Sequence, residues 1–172
     1  MMFKKFILLS FSFLFYSNVL VSQEVLKDTI TTFFLIRHAE KDRTDSSNKN
    51  PQLNEKGLER AENWNQFFSS FNIDAVYSTN YNRTLQTVAP TAKAHNLEVT
   101  FYNPFTIDVE KLKSDNKGKT ALVVGHSNTI PYLVNKLIGE DMYADIDDHT
   151  NSNLYIVTIS SKETSHILIK TK

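Results

Sequence analysis

The feature that most constrains the fold is an apolar run that ends abruptly on two reactive side chains. Phe33 to Ile36 is apolar without interruption, and Arg37 and His38 follow it directly, ahead of a polar stretch that reaches Asn50. A short apolar run bounded in this way is typical of a buried strand. Because ligands of open α/β sheets lie beyond the carboxyl ends of the strands, an arginine and a histidine at such an end are candidate functional residues.

Alternating strand and helix patterns follow this run along the chain. Apolar residues at spacings of three and four predict helices, and short apolar or β-branched stretches predict strands. The predicted strands cover residues 29–36, 73–77, 97–101, 120–124, 154–159 and 165–169, with helices at about 54–71, 82–95, 108–113 and 130–138 between them. This order predicts an α/β fold, a three-layer α/β/α sandwich with a mostly parallel central sheet and a closing hairpin.

The helix patterns also predict buried faces and caps. Asn54 is a suitable N-cap before the first helix, and Gly139 is a suitable C-cap after the last. The first helix is expected to bury Leu58, Ala61, Trp64, Phe68 and Phe71, and the second Leu85, Val88, Ala89 and Ala92.

Composition excludes several classes of function. The chain has 172 residues, enough for one domain with a sizeable core. Lys and Arg number 19, as do Asp and Glu, so no global charge attracts nucleic acid. The absence of cysteine removes disulfides, thiolate metal sites and cysteine nucleophiles. Any affinity for anions must therefore come from a local cluster of side chains.

The first residues have the pattern of a secretory signal peptide. Lys4 and Lys5 precede a largely apolar, uncharged run from Phe6 to Val21, and small or polar residues follow this run. We expect residues 1–22 to be a signal peptide, 23–30 a linker and 31–172 the functional domain. The protein is then expected to be exported, periplasmic or secreted. If the segment is instead an uncleaved membrane anchor, the protein is expected to contact a membrane, and only in that case.

Polar groups follow three of the predicted strands. The first strand ends at Arg37 and His38, the second at Ser78 with Arg83 at the start of the next helix, and the fourth at His126. If these strands are parallel, the side chains gather at one edge of the sheet, beside helix N-termini that favour anions. Because guanidinium groups bind phosphate oxygens in pairs, a phosphate monoester is the natural ligand of such a cluster.

Four blocks of sequence resemble the histidine phosphatase superfamily, which has the phosphoglycerate mutase-like fold. They occur in the family's order and span most of the predicted domain. The resemblance is to its compact, single-domain phosphatase branch. The blocks are Leu35 to Lys41, Leu53 to Gly57 with Arg60-Ala61, Tyr77-Ser78 with Arg83-Thr84 and Gln86-Thr87, and Val124 to Thr129.

The resemblance implies a role for each residue of the cluster. His38 would attack phosphorus and form a phosphohistidine that water hydrolyses. Arg37 and Arg83 would hold the phosphoryl oxygens, and His126 would bind a further oxygen, either protonated or donating from one nitrogen. Ser127 would complete the phosphate pocket. The substrate would be a small phosphorylated molecule or a phosphoprotein, with neither metal nor cofactor required.

The general acid of the family has no obvious counterpart here. A carboxylate that protonates the leaving oxygen can directly follow the second histidine, but Ser127 follows His126 in this chain. Five other carboxylates near the predicted site are candidates: Glu40, Asp108, Glu110, Asp147 and Asp148. Asp147 and Asp148 would reach the site if their loop folds over its edge.

Three further functions fit parts of the sequence. Residues 125–129 resemble a nucleophile elbow that lacks its second glycine, which would make Ser127 the nucleophile of a serine esterase. The cluster is also compatible with a phosphomutase of the same fold and with a non-catalytic binder of phosphorylated ligands. The short segment between Phe101 and Thr120 favours an open site and hydrolysis over phosphoryl transfer. Three residues in it fit a substrate entrance and ordinary loop packing equally well: Tyr102, Asn103 and Phe105.

Overall fold

The computed structural model describes residues 29–171, so the predicted signal peptide and most of the predicted linker lie outside the described residues. Within this range the elements are, in chain order, β1 Thr31–Arg37, α1 Glu55–Phe68, β2 Ala75–Ser78, α2 Asn82–Ala94, β3 Val99–Phe101, α3 Val109–Asp115, β4 Thr120–Gly125, α4 Thr129–Ile138, β5 Asn153–Ile159 and β6 Thr164–Lys170. None of the helices among these residues is long and apolar enough to cross a membrane.

All six strands form one sheet in the order β3-β2-β4-β1-β5-β6. The pairs β2·β3, β2·β4 and β1·β4 are parallel. The closing hairpin is antiparallel, both within itself and against β1. The predicted α/β sandwich with a mostly parallel sheet is therefore confirmed. Because four neighbouring strands run in one direction, their carboxyl ends share one edge of the sheet.

Side chains of β1 alternate between two hydrophobic cores. Phe34 and Ile36 pack with residues of α1 and α2 on one face of the sheet. Phe33 and Leu35 pack with residues of α3 and α4 on the other face. Burial of each such side chain stabilises the fold by about 1.5–3 kcal/mol. With both faces covered, the carboxyl edge is where this strand can present polar groups to a ligand.

The predicted burial of α1 and α2 is partly wrong. Leu58 and Phe71 are 49% and 39% exposed, because α1 ends at Phe68 and turns other residues inward. In α2 the predicted inward residue Ala89 is exposed, and Leu85 is only half-buried. Threonines take their place on the buried face of α2: Thr84, Thr87 and Thr91. An apolar pattern could not identify that face, because the hydroxyls of Thr84 and Thr87 are satisfied by backbone carbonyls close in sequence, those of Thr79 and Arg83.

The start of α1 packs tightly against the residues after β1. Asn54 caps the helix as predicted, accepting from the backbone N–H of Gly57 at 2.9 Å. A Cβ atom on Gly57 would collide with the carbonyl oxygen of Glu40. The block around Gly57 therefore holds the chain two residues beyond His38 in a fixed position.

Candidate active site

The carboxyl edge of the sheet brings together the four residues predicted to form the phosphate site. Arg37 ends β1, His38 follows it, Arg83 lies in the first turn of α2, and His126 follows β4. The rings of His38 and His126 lie 5.6 Å apart at an angle of 67°. Arg83 Nη2 lies 3.4 Å from His126 Nδ1. The charge of Arg37 acts on both histidines and lowers their pKa values.

His38 is held in one tautomer. Its Nδ1 lies 2.7 Å from the carbonyl oxygen of Ala39. Because a carbonyl oxygen only accepts, Nδ1 carries the proton and Nε2 keeps its lone pair. The pKa of His38 is lowered to about 3, chiefly by burial; the hydrogen bond to Ala39 opposes this shift, and the neighbouring cations add to it. At neutral pH the imidazole is uncharged, as a nucleophile must be.

His126 has the opposite tautomer. Its Nδ1 faces Arg83, whose guanidinium can only donate, so this nitrogen is the acceptor. Its Nε2 therefore donates to Thr79 Oγ1 at 2.9 Å. Burial, followed by the charge of Arg83, lowers the pKa of His126 to about 4. The sequence predicted that His126, protonated or donating from one nitrogen, binds a phosphoryl oxygen; here the ring is neutral and its donating nitrogen is directed at Thr79.

Two buried threonines extend the hydrogen bond of His126 into the protein. Thr79 and Thr84 are 1% and 0% exposed, and their hydroxyl oxygens lie 3.1 Å apart. Thr84 Oγ1 lies 2.7 Å from the carbonyl of Thr79 and donates to it. The hydroxyls thus form a directional chain that begins at His126 Nε2. Sequence reasoning missed Thr79, although it directly follows Ser78 in one of the four blocks.

Replacing Thr79 with valine removes the acceptor of His126 while nearly preserving side-chain volume. We expect kcat for a phosphate monoester to fall about tenfold, the scale of one lost buried hydrogen bond. Thr79→Ser keeps the hydroxyl and is expected to restore most of the activity. Because a packing defect could also lower kcat, the ¹⁵N shifts of His126 are the deciding measurement. The Nε2–H tautomer itself should persist, because Arg83 still faces Nδ1. An unchanged Nε2–H chemical shift in Thr79→Val would contradict the assigned hydrogen bond.

A third threonine links the loop of His38 to α2. The backbone N–H of Ala39 donates to Thr87 Oγ1 at 2.9 Å, and that hydroxyl donates to the carbonyl of Arg83 at 2.7 Å. One side chain therefore sets the separation between the segment of the predicted nucleophile and the segment of the predicted phosphate-binding arginine.

Arg83 is a half-buried cation without a carboxylate partner. Its Nε and Nη1 are buried and form no hydrogen bond, and within residues 29–171 no carboxylate lies at ion-pair distance from it. Its guanidinium lies 4.5 Å from the ring centroid of Tyr81. Because an unpaired buried charge is costly, an anion that supplies the missing acceptors would bind strongly here.

Arg37 is fully buried and already has several partners. Its Nη1 donates to the carbonyls of Asp147 and Thr150, at 2.8 and 3.0 Å, and its Nη2 to Asp148 Oδ1 at 2.7 Å. Its Nε has no partner among the described residues. Asp148 also pairs with Arg43 at 2.7 Å, and the two arginines hold the pKa of this carboxyl well below its usual range. The loop from Asp147 to Thr150 thus folds over the edge of the sheet.

The three main candidates for the general acid have other partners. Both carboxylate oxygens of Glu40 accept from Arg60, each at 2.8 Å. Burial would raise the pKa of Glu40, but the hydrogen bonds and charge of Arg60 outweigh it and lower that pKa. Asp108 caps α3, and Glu110 pairs with Lys113 at 2.9 Å. The lowered pKa makes Glu40 a poor proton donor, and the side chains of Asp108 and Glu110 are bonded within α3, so the geometry supports none of the three.

A cavity of about 440 Å³ opens beside Arg83 and His126. Three residues predicted for the phosphate pocket are not among its lining residues: Arg37, His38 and Ser127. The carbonyl of Ser127 accepts from the backbone N–H of Ile146. The segment after β3 does line the cavity, through the three residues whose role the sequence left open: Tyr102, Asn103 and Phe105. Within residues 29–171, no three or more His, Cys, Asp or Glu residues form a group that could hold a metal ion.

The lowered pKa values of His38 and His126 predict an unusual titration. The C2-proton resonances of both rings, assigned with His38→Asn and His126→Asn, are expected to stay constant between pH 8 and pH 5. An unperturbed histidine with a pKa of about 6.5 would titrate within this window. Stability is also expected to fall as the pH drops below about 6.5, because the unfolded chain then binds protons that these folded sites do not. Midpoints near 6.5 for both rings would contradict the described burial.

Comparison with solved structures places the fold in the phosphoglycerate mutase-like class. Phosphoglycerate mutase from Bacillus anthracis has a TM-score of 0.64 at 13% identity, covering 83% of this chain and 93% of that chain. A protein named as the phosphohistidine phosphatase SixA from Agrobacterium tumefaciens has a TM-score of 0.61 at 19% identity, covering 82% of this chain and 99% of that chain. Phosphoserine phosphatase from Entamoeba histolytica, in complex with 3-phosphoglyceric acid, has a TM-score of 0.61 at 18% identity, covering 83% of this chain and 98% of that chain.

Comparison with protein families agrees with the fold. Residues 33–105 match the model of the histidine phosphatase superfamily (branch 1). This match includes Arg37, His38 and Arg83, and together with the fold it confirms the resemblance predicted from the four sequence blocks. No curated protein matches the sequence significantly.

Proposed function

We propose that this protein is a phosphomonoesterase that acts through a phosphohistidine on His38. The observation that carries the proposal is a neutral imidazole whose Nε2 has no hydrogen-bond partner within residues 29–171, at the same edge of the sheet as the Arg83 guanidinium, which has no carboxylate partner within that range. A neutral nitrogen nucleophile and an unpaired cation are what attack on a phosphate dianion requires.

Each part of the site has a task in the proposed reaction. Nε2 of His38 attacks phosphorus in line, the P–N bond forms, and the bond to the leaving oxygen breaks. The leaving oxygen takes a proton from solvent, and the water that attacks in the second step returns one. The positive charge that develops on the imidazole is stabilised by the hydrogen bond from Nδ1 to Ala39. Arg83 and the Nε of Arg37 stabilise the equatorial oxygens, where charge spreads in the transition state. A water molecule then attacks phosphorus, which breaks the P–N bond and releases phosphate.

Hydrolysis is favoured over mutase activity by the segment between β3 and β4. Its single helix, α3, has seven residues, and its buried residue Leu112 belongs to a hydrophobic core of the sandwich. The helix of this segment is therefore packed into the sandwich, and only the short stretch from Tyr102 to Phe105 lines the cavity, which supports an open site accessible to water. In a mutase, by contrast, the phosphoryl group must return to the substrate before water intercepts it.

A phosphatase screen without added metal tests the proposal. Turnover of an activated aryl phosphate is expected, since its leaving group needs little protonation. Binding of inorganic phosphate without turnover of any monoester would favour the non-catalytic binder. Transfer of phosphate to an added alcohol or sugar phosphate faster than to water would favour the mutase.

Ser127→Ala separates the phosphatase from the serine esterase. We expect this variant to keep phosphatase activity within about threefold, because within residues 29–171 the Ser127 hydroxyl forms no hydrogen bond with Arg37, His38, Arg83 or His126. His38→Ala is the matched variant and is expected to lose the activity. If Ser127→Ala instead abolished hydrolysis of a carboxylate ester that the wild type cleaves, the esterase hypothesis would replace the phosphatase.

We also propose that the protein is exported and that residues 1–22 are removed as a signal peptide. The support is the charged start and the apolar run of the sequence. The mass of the protein recovered from its native compartment tests this: a start near residue 23 is expected, and a full-length, membrane-bound chain would favour the anchor.

A further inference from the structure

The walls of the cavity beside Arg83 and His126 are aromatic and amide-rich. Among the described residues that line it, Arg83 alone carries a charge at neutral pH. The lining side chains include three aromatic rings and three primary amides, namely Tyr81, Tyr102, Phe105, Asn80, Asn103 and Asn128. A second anionic group on a ligand would find no additional cation here. Lys41 and Arg43 line a different cavity.

Phe105 is presented to solvent by a fixed turn. Its side chain is 81% exposed, the largest value among the exposed large hydrophobic residues of the described chain. The backbone N–H of Phe105 donates to Asn103 Oδ1 at 3.0 Å, and that of Thr106 to the Asn103 carbonyl at 3.2 Å. This Asx turn keeps the ring at the cavity although the fold gains little from it. An exposed ring on a fixed turn is suited to contact with a ligand.

Tyr81 places a second ring beside the phosphate-binding groups. It is 41% exposed, lies under the guanidinium of Arg83 and meets the ring of His126 edge-on, with centroids 5.1 Å apart. In a ligand whose phosphate binds Arg83, the group attached to that phosphate would therefore lie against the ring of Tyr81.

We propose that the cavity selects phosphate monoesters whose leaving group is a planar aromatic ring, with Phe105 as the main specificity-determining residue and Tyr81 as the second wall. That the ligand is a hydrolysed monoester rests on the proposed function, whereas the preference for an aromatic group rests on the lining of the cavity. Aromatic pairs gain about 0.5–1.5 kcal/mol beyond the burial of apolar area, which favours an aryl over a small alkyl group.

Binding of two phosphonates tests the inference without turnover. We expect the wild type to bind phenylphosphonate about tenfold more tightly than methylphosphonate in calorimetric titration. Phe105→Ala is expected to reduce this ratio to about threefold or less and to leave the methylphosphonate Kd within about twofold. Phe105→Leu, which keeps apolar area, is expected to fall between them. Tyr132→Ala is the control, since it removes an exposed aromatic ring on α4 that does not line the cavity.

The contrary outcomes are distinct from a failure of the proposed function. Equal affinities of the wild type for the two phosphonates would overturn the inference, as would an unchanged ratio in Phe105→Ala. Tighter binding of phosphonoacetate than of phenylphosphonate would overturn it too, since that ligand carries a second anionic group. If the protein shows the aromatic preference but hydrolyses no monoester, the phosphatase proposal fails and the selectivity stands.

Discussion

Replacing His38 with alanine is expected to reduce turnover of phosphate monoesters by roughly 10⁴-fold or more, the scale on which covalent enzymes lose activity without their nucleophile. Neither His126 nor Ser127 can replace it. His126 already uses both ring nitrogens, one toward Arg83 and one toward Thr79. The effect should appear in kcat, because the two arginines proposed to bind phosphate remain.

Covalent trapping provides the direct measurement. Rapid quenching of the wild type with ³²P-labelled substrate should leave an acid-labile, base-stable label on a peptide that contains His38. His38→Ala should carry no label, and His166→Asn, which changes a histidine in β6, should be labelled normally. Label on His126, or full turnover without a labelled histidine, would contradict the assignment of the nucleophile.

Arg83→Met is expected to lower kcat/KM by about 10²- to 10⁴-fold. The long apolar side chain preserves much of the packing but removes the hydrogen bonds to the phosphoryl group. Two lost charge-assisted hydrogen bonds at about 1.5–3 kcal/mol each account for this range. Arg83→Lys keeps the charge without the planar fork and is expected to recover only part of the loss. Lys93→Met, which removes a cation from the last turn of the same helix, is the control.

The pH behaviour distinguishes loss of Arg83 from general damage. Because the charge of Arg83 helps to lower the pKa of His126 to about 4, its removal should move that pKa upward. In Arg83→Met the His126 resonance should therefore titrate at a higher pH than in the wild type. An Arg83→Met variant with normal kcat/KM would exclude this guanidinium from phosphate binding.

The strand ends of this chain could be predicted because they depend on local sequence. The run from Phe33 to Ile36 is apolar enough to be a central strand, and its abrupt end places Arg37 and His38 at the edge of the sheet. Gly125-His126 repeats the pattern on β4. Since parallel pairing brings such ends together, the cluster followed from topology.

Other features depend on tertiary contacts that a linear pattern does not contain. Thr84 and Thr87 look like ordinary helix residues. Their hydroxyls take part in the site only because the fold brings the residues after β1 and β4 next to α2. The partners of Arg37 lie more than a hundred residues away, in the loop that carries Asp148. The same limit applies to Glu40, whose proximity to His38 in sequence suggested an acid, whereas its pairing with Arg60 depends on the position of α1.

The direction of β6 has a practical consequence for handling the protein. Because β5 is antiparallel to both β1 and β6, the carboxyl end of β6 at Lys170 lies on the same side of the sheet as Arg37, two strands and about 10 Å away. The start of β1 at Thr31 lies on the opposite side. A purification tag, dye or surface linkage joined after Lys170 would therefore emerge on the side of the sheet that carries Arg37 and His38. Attachment ahead of Thr31 would keep that side clear.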